Sequence, residues 1–95
     1  MKQKSPWYRI VIECGGVPPD VGTRGADDIT EGFAKRPWHK NAVCRWDGAH
    51  LTLTAENDFD PEGLALSDEF SDEICACIGG LADADCWRIS VTQVA

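Results

Sequence analysis

The stretch NAVCRWDGAHLTLTAE, residues 41–56, narrows the fold more than any other part of the chain. Two alternating runs flank Asp47-Gly48, a dipeptide that favours a two-residue type I′ turn because both central positions take positive φ. In that register Trp46 lies opposite Ala49, Cys44 opposite Leu51 and Ala42 opposite Leu53, all on an apolar face. The other face pairs Arg45 with His50, Val43 with Thr52 and Asn41 with Thr54. A register that sorts both faces in this way specifies a β-hairpin.

Two further strands follow from period-two alternation. Tyr8, Ile10, Ile12 and Cys14 alternate with Trp7, Arg9, Val11 and Glu13, and residues 86–94 place Trp87, Ile89 and Val91 on one face. Before the hairpin, ADDITEGFAKRPW starts with acids, sets Ile29 and Phe33 four apart, and ends in Lys35, Arg36 and Pro37. This is the pattern of a short amphipathic helix aligned with its own dipole, and it leaves GGVPPDVGTRG as an irregular connection. After the hairpin, Phe70, Ile74, Cys77, Ile78 and Leu81 fall on one side of a second helix, with Gly79-Gly80 available to end it. That helix starts either at Pro61, capped by Asp60, or at Asp68, capped by Ser67. The order β-α-β-β-α-β predicts the α+β class: a ferredoxin-like two-layer sandwich whose antiparallel sheet runs 4-1-3-2. Ninety-five residues are read as a single domain, 1–95.

Charge is distributed unevenly along the chain. Residues 1–46 carry eight Lys or Arg against five Asp or Glu, whereas residues 47–87 carry eleven acids and no Lys or Arg. A field of that sign repels nucleic acid and anionic membranes and favours a basic partner. The basic start MKQK is followed by a short apolar run broken by Arg9 and Glu13, which does not make a secretory leader. No window reaches the roughly 18 apolar residues of a membrane helix. The five cysteines show no CxxC pair, so reduced thiols and a cytoplasmic location are expected.

Residues 57–70, NDFDPEGLALSDEF, place Asp58, Asp60, Glu62 and Glu69 around Gly63 on the spacing of an EF-hand calcium loop. An EF-hand needs a helix on each side, and here a strand precedes the loop. Pro61 stiffens the fourth position, and Glu62 stands where a shorter Asp or Asn is usual. The expectation is a solvated helix entrance, with no metal and no cofactor. Cys75 and Cys77 point about 200° apart on a helix and do not chelate together. Cys14 and Cys86, at meeting strand ends, differ in facing parity and are not expected to bond. His39 opposite Glu56, and His50 opposite Arg45, read as exposed cross-strand neighbours with no nucleophile beside either. The open sheet face shows no aromatic pair for stacking RNA bases, so nucleic acid is not expected.

The connection GVPPDVGTR resembles, at Gly16, Val21 and Arg24, the phosphate loop of the acylphosphatases, G-x-V-Q-G-V-x-[FY]-R. The resemblance covers nine residues and implies a small phosphohydrolase in which Gly15–Gly25 cradles an anion through Gly22, Arg24 and Gly25. Pro18, Pro19 and Asp20 depart from it by removing N–H donors and adding a repelling carboxylate. The leading reading is a non-enzymatic interaction module that offers a basic protein the acidic face of residues 60–75: Glu62, Asp68, Glu69, Asp72 and Glu73. Asp68 with Asp72, and Glu69 with Glu73, are like-charge i,i+4 pairs that cost an isolated helix a few tenths of a kcal/mol each. Trp7, Arg9, Val11, Val43 and Arg45 lie on the open sheet face, where a homodimer contact would form.

Overall fold

The computed structural model describes residues 6–17, 19–77 and 87–94. Along the chain run β1 (Tyr8–Cys14), α1 (Pro19–Ala34), β2 (Lys40–Trp46), β3 (Leu51–Asn57), α2 (Leu64–Cys77) and β4 (Trp87–Gln93). The strands form one sheet in the order β2-β3-β1-β4, with every neighbouring pair antiparallel. This is the expected order 4-1-3-2 read from its other edge, and the molecule belongs to the α+β class. Gly79-Gly80, Ile78, Leu81 and Cys86 lie outside the described residues, as does Pro18.

Alternation determines which sheet face is buried. Ile10, Ile12 and Cys14 of β1, Leu51, Leu53 and Ala55 of β3, and Cys44 of β2 form one cluster with Ala26, Ile29 and Phe33 of α1 and Leu66, Phe70 and Ile74 of α2. Both helices therefore cover the same face, where each fully buried Leu, Ile or Phe contributes about 1.5–3 kcal/mol.

The hairpin departs from its expected register by two residues. Trp46 pairs with Leu51, Arg45 with Thr52, Cys44 with Leu53 and Val43 with Thr54. An even shift preserves the facing of every side chain, which is why the apolar pattern could not reveal it. The cause is Asp47. Its Oδ1 accepts the backbone N–H groups of Ala49 at 2.8 Å and His50 at 2.7 Å, and its own N–H reaches the His50 carbonyl. The turn widens to four residues, and only Gly48 takes positive φ. Further along β2, an irregularity with Asn41 at φ 55° sets Lys40, instead of His39, opposite Glu56.

α1 is the larger correction. It begins at Pro19, seven residues ahead of the expected start, and takes in most of the presumed connection. Proline suits a first helical turn because its missing N–H has no partner there, so Pro19 opens the helix instead of interrupting it. Gly22 and Gly25 are buried within α1, and a Cβ at Gly22 would run into the Trp46 ring. Thr30, one turn further on, holds the edge strand: its Oγ1 accepts the Cys44 N–H at 2.9 Å and lies 3.2 Å from the Cys44 carbonyl. That occupies backbone groups an edge strand would otherwise expose.

Candidate functional site

α2 starts at Leu64, between the two expected positions, and Asp60 is its cap. By geometry the capping position is Gly63, whose carbonyl accepts the Ser67 N–H. Glycine has no side-chain oxygen, and Asp60 supplies it from three residues upstream. Its Oδ1 accepts Ala65 N–H at 3.2 Å and its Oδ2 accepts Leu66 N–H at 3.0 Å. Gly63 has φ 74°, and a Cβ there would stand 2.8 Å from Ile89 and 3.0 Å from Ile10. The glycine that lent this segment its calcium-loop spacing thus serves the entrance to α2. Asp60 is buried, Asp58 and Glu62 are exposed, and Glu69 turns towards the end of α1. Among the described residues no three of His, Cys, Asp and Glu gather where they could hold a metal ion.

A second buried network corrects the reading of His39. Its side chain is fully buried among the rings of Phe33, Trp38 and Phe59. Asn57 Oδ1 accepts the N–H groups of Phe59 and Asp60, which directs its Nδ2 amide to donate to His39 Nδ1 at 3.2 Å. His39 Nε2–H then donates to Glu69 Oε1 at 3.1 Å. Both ring nitrogens are occupied, so the ring has no lone pair to offer a substrate.

Glu69 collects two more donors, Arg36 Nε at 3.0 Å and Trp38 Nε1 at 3.3 Å. Arg36 also reaches Glu73 Oε2 at 2.6 Å and the Gly32 carbonyl at 3.0 Å, with its guanidinium 4.9 Å from the centre of the Phe33 ring. One cation bridges the two carboxylates whose repulsion the sequence predicts, and it ties α2 to the end of α1. Two of the five expected partner-binding residues, Glu69 and Glu73, therefore have partners within their own chain. Glu62, Asp68 and Asp72 are exposed.

The open sheet face has little such cross-linking. Arg9 pairs with Glu56 at 2.9 Å, and Asn41 Nδ2 donates to the same carboxylate at 3.1 Å. Hydrogen bonding from Arg9, then Asn41, holds the Glu56 carboxyl below its ordinary value. At the turn, the His50 and Ala49 N–H groups do the same to Asp47. His50 sits in that turn, its Nδ1 3.7 Å from Asp47, and is not across from Arg45. Val11, Thr54 and Val43 line up across the middle of the face, half-buried.

Gly22, Arg24 and Gly25, the residues expected to line the anion cradle, lie within α1. Arg24 is exposed on α1, while Gly22 and Gly25 are buried. A phosphate-wrapping loop needs a run of backbone N–H groups free to converge, and in a helix beyond the first turn those groups are taken. Gly22, Arg24 and Gly25 therefore do not form such a loop. Comparisons with models of protein families, with curated proteins and with solved structures find no match.

Proposed function

We propose that the chain is a ferredoxin-like interaction module that binds a basic protein through its helix-bearing side and performs no catalysis. The observation that carries this is how charge divides between the two layers. Among the described residues, the two helices and their connections hold Asp20, Asp27, Asp28, Glu31, Asp58, Asp60, Glu62, Asp68, Glu69, Asp72 and Glu73 against Arg24, Lys35 and Arg36. The open sheet face holds Arg9, Lys40, Arg45 and Arg88 against Glu13 and Glu56.

The acidic surface thus draws on α1 as well as on residues 60–75, and the exposed members Glu62, Asp68 and Asp72 are its available carboxylates on the α2 side. Such a surface steers and orients a basic protein over about 8 Å at physiological salt. A homodimer through the sheet faces is the weaker reading, because a two-fold axis there sets a net basic surface against itself.

The test is a titration of the labelled protein with a lysine- and arginine-rich peptide, read by amide NMR. Shifts confined to α1 and α2, weakened by salt and by Asp68→Lys with Asp72→Lys, support the module. Binding unaffected by those reversals, or shifts on β1 and β4 alone, would end it.

A further inference from the structure

Between α1 and α2 lies a groove of about 570 Å³, lined by Asp28, Glu31, Gly32, Lys35, Arg36, Trp38 and Glu73. Resting on the functional reading above, we infer that this groove receives an arginine-bearing segment of the basic partner, its guanidinium stacked on Trp38. Its floor is already shaped. A Cβ at Gly32 would collide with the Glu73 carboxylate, so this glycine in the last turn of α1 lets that side chain lie against the helix.

Three features suit the groove to a guanidinium. Trp38 is 49% exposed, yet its indole is fixed by the bond to Glu69 and by packing near His39, ring centroids 6.1 Å apart. A rigid, half-exposed indole binds a cation with little loss of side-chain freedom. The local charge is also in surplus: Asp28, Glu31, Glu69 and Glu73 stand against Lys35 and Arg36, and Arg36 is already gripped by two of those carboxylates. Asp28 and Glu31 are exposed, one turn apart on the α1 side of the groove. A planar cation that stacks on a ring while donating sideways to carboxylates is arginine in preference to lysine.

Two peptides of equal length and charge, one arginine-rich and one lysine-rich, test this by NMR together with Trp38→Ala and the exposed double variant Asp28→Asn with Glu31→Gln. The expected result is a saturable shift of the Trp38 indole N–H and the Gly32 amide, stronger for the arginine peptide. Affinity should fall about threefold to tenfold in Trp38→Ala. The double variant should weaken binding in the same direction and serves as the check should Trp38→Ala lose its fold. Binding that moves signals near Asp68 and Asp72 while sparing Trp38 and Gly32 would overturn the groove and leave the acidic module standing. No binding of either peptide would overturn both. Equal shifts from free arginine amide would make the groove a small-cation site and remove the peptide partner.

Discussion

His39 and Arg9 each pair with a glutamate, on opposite sides of the same sheet, and the surroundings of the two pairs differ. The His39 side chain is 0% exposed and Glu69 24%. Arg9 is 52% exposed and Glu56 20%. The fully buried His39 ring, if it loses Glu69, is stranded without water, whereas the exposed Arg9 exchanges its partner for solvent. The helix side uses its polar groups to fasten elements together: Asn57 joins β3 to the loop holding His39, Glu69 joins α2 to that loop, and Arg36 joins it to α1. On the sheet side, the pair joins two strands already bonded along their backbones. Polar residues on the helix side should therefore be costly to change, and those on the sheet side cheap.

Asn57→Ala is the substitution that would break this contrast most directly. It removes the donor to His39 and the acceptor for two backbone N–H groups, one of which belongs to the capping residue of α2. The expected loss is about 3 kcal/mol, read from the urea midpoint, since each stranded buried group costs about 1–3 kcal/mol. A loss below about 1 kcal/mol would mean that the network does not fasten the helix side. Asp60→Ala should cost somewhat less, about 1–2 kcal/mol, with faster amide exchange at Ala65 and Leu66, which lose their acceptor. Unchanged exchange at those two amides would assign the cap elsewhere.

The strand order and the core were legible because they depend on alternation and on helical spacing. Ile10, Ile12, Leu53, Ile29, Phe33 and Phe70 all lie where their periodicity places them. The long start of α1 was hidden by Gly22, Gly25 and the prolines, which read as breakers. Yet Pro19 sits at the one position where a helix welcomes proline, and Gly22 answers to Trp46, a contact about two dozen residues away in sequence. The His39 network was hidden for the same reason. Asn57 and Glu69 are ordinary polar residues in the sequence, and only tertiary packing brings them to the two nitrogens of one ring. The available clue was a run of Trp38 and His39 directly after Pro37, an aromatic pair in a connection that solvent alone would not favour.

On the sheet side, Arg9→Ala should change stability by no more than about 0.5–1 kcal/mol, and the change should shrink in high salt. A double-mutant cycle with Glu56→Gln measures the coupling alone. A coupling above about 2 kcal/mol, or one insensitive to salt, would show that the pair is shielded as the helix-side pairs are, and the two faces would no longer differ in kind.

The smallest expected effect is acid dependence of the sheet side. Asp47 and Glu56 both have carboxyl groups held below their ordinary values of 3.8 and 4.5, the first by the N–H groups of His50 and Ala49, the second by Arg9 and Asn41. A depressed value in the folded state means that the charged form is favoured by folding. The contribution is complete above those ordinary values and is lost as pH falls below them, through the lower folded values. Acid should therefore loosen the β2-β3 turn and the Arg9 contact while the core strands stay paired. The carboxyl carbon signals of both residues, followed by NMR as the pH is lowered, should titrate below their ordinary values, and Asp47→Asn should remove the acid dependence of the Ala49 and His50 amides. Titration of Asp47 at its ordinary value would leave the four-residue turn without the carboxylate that shapes it, and Gly48 alone would then have to account for the two-residue shift in register.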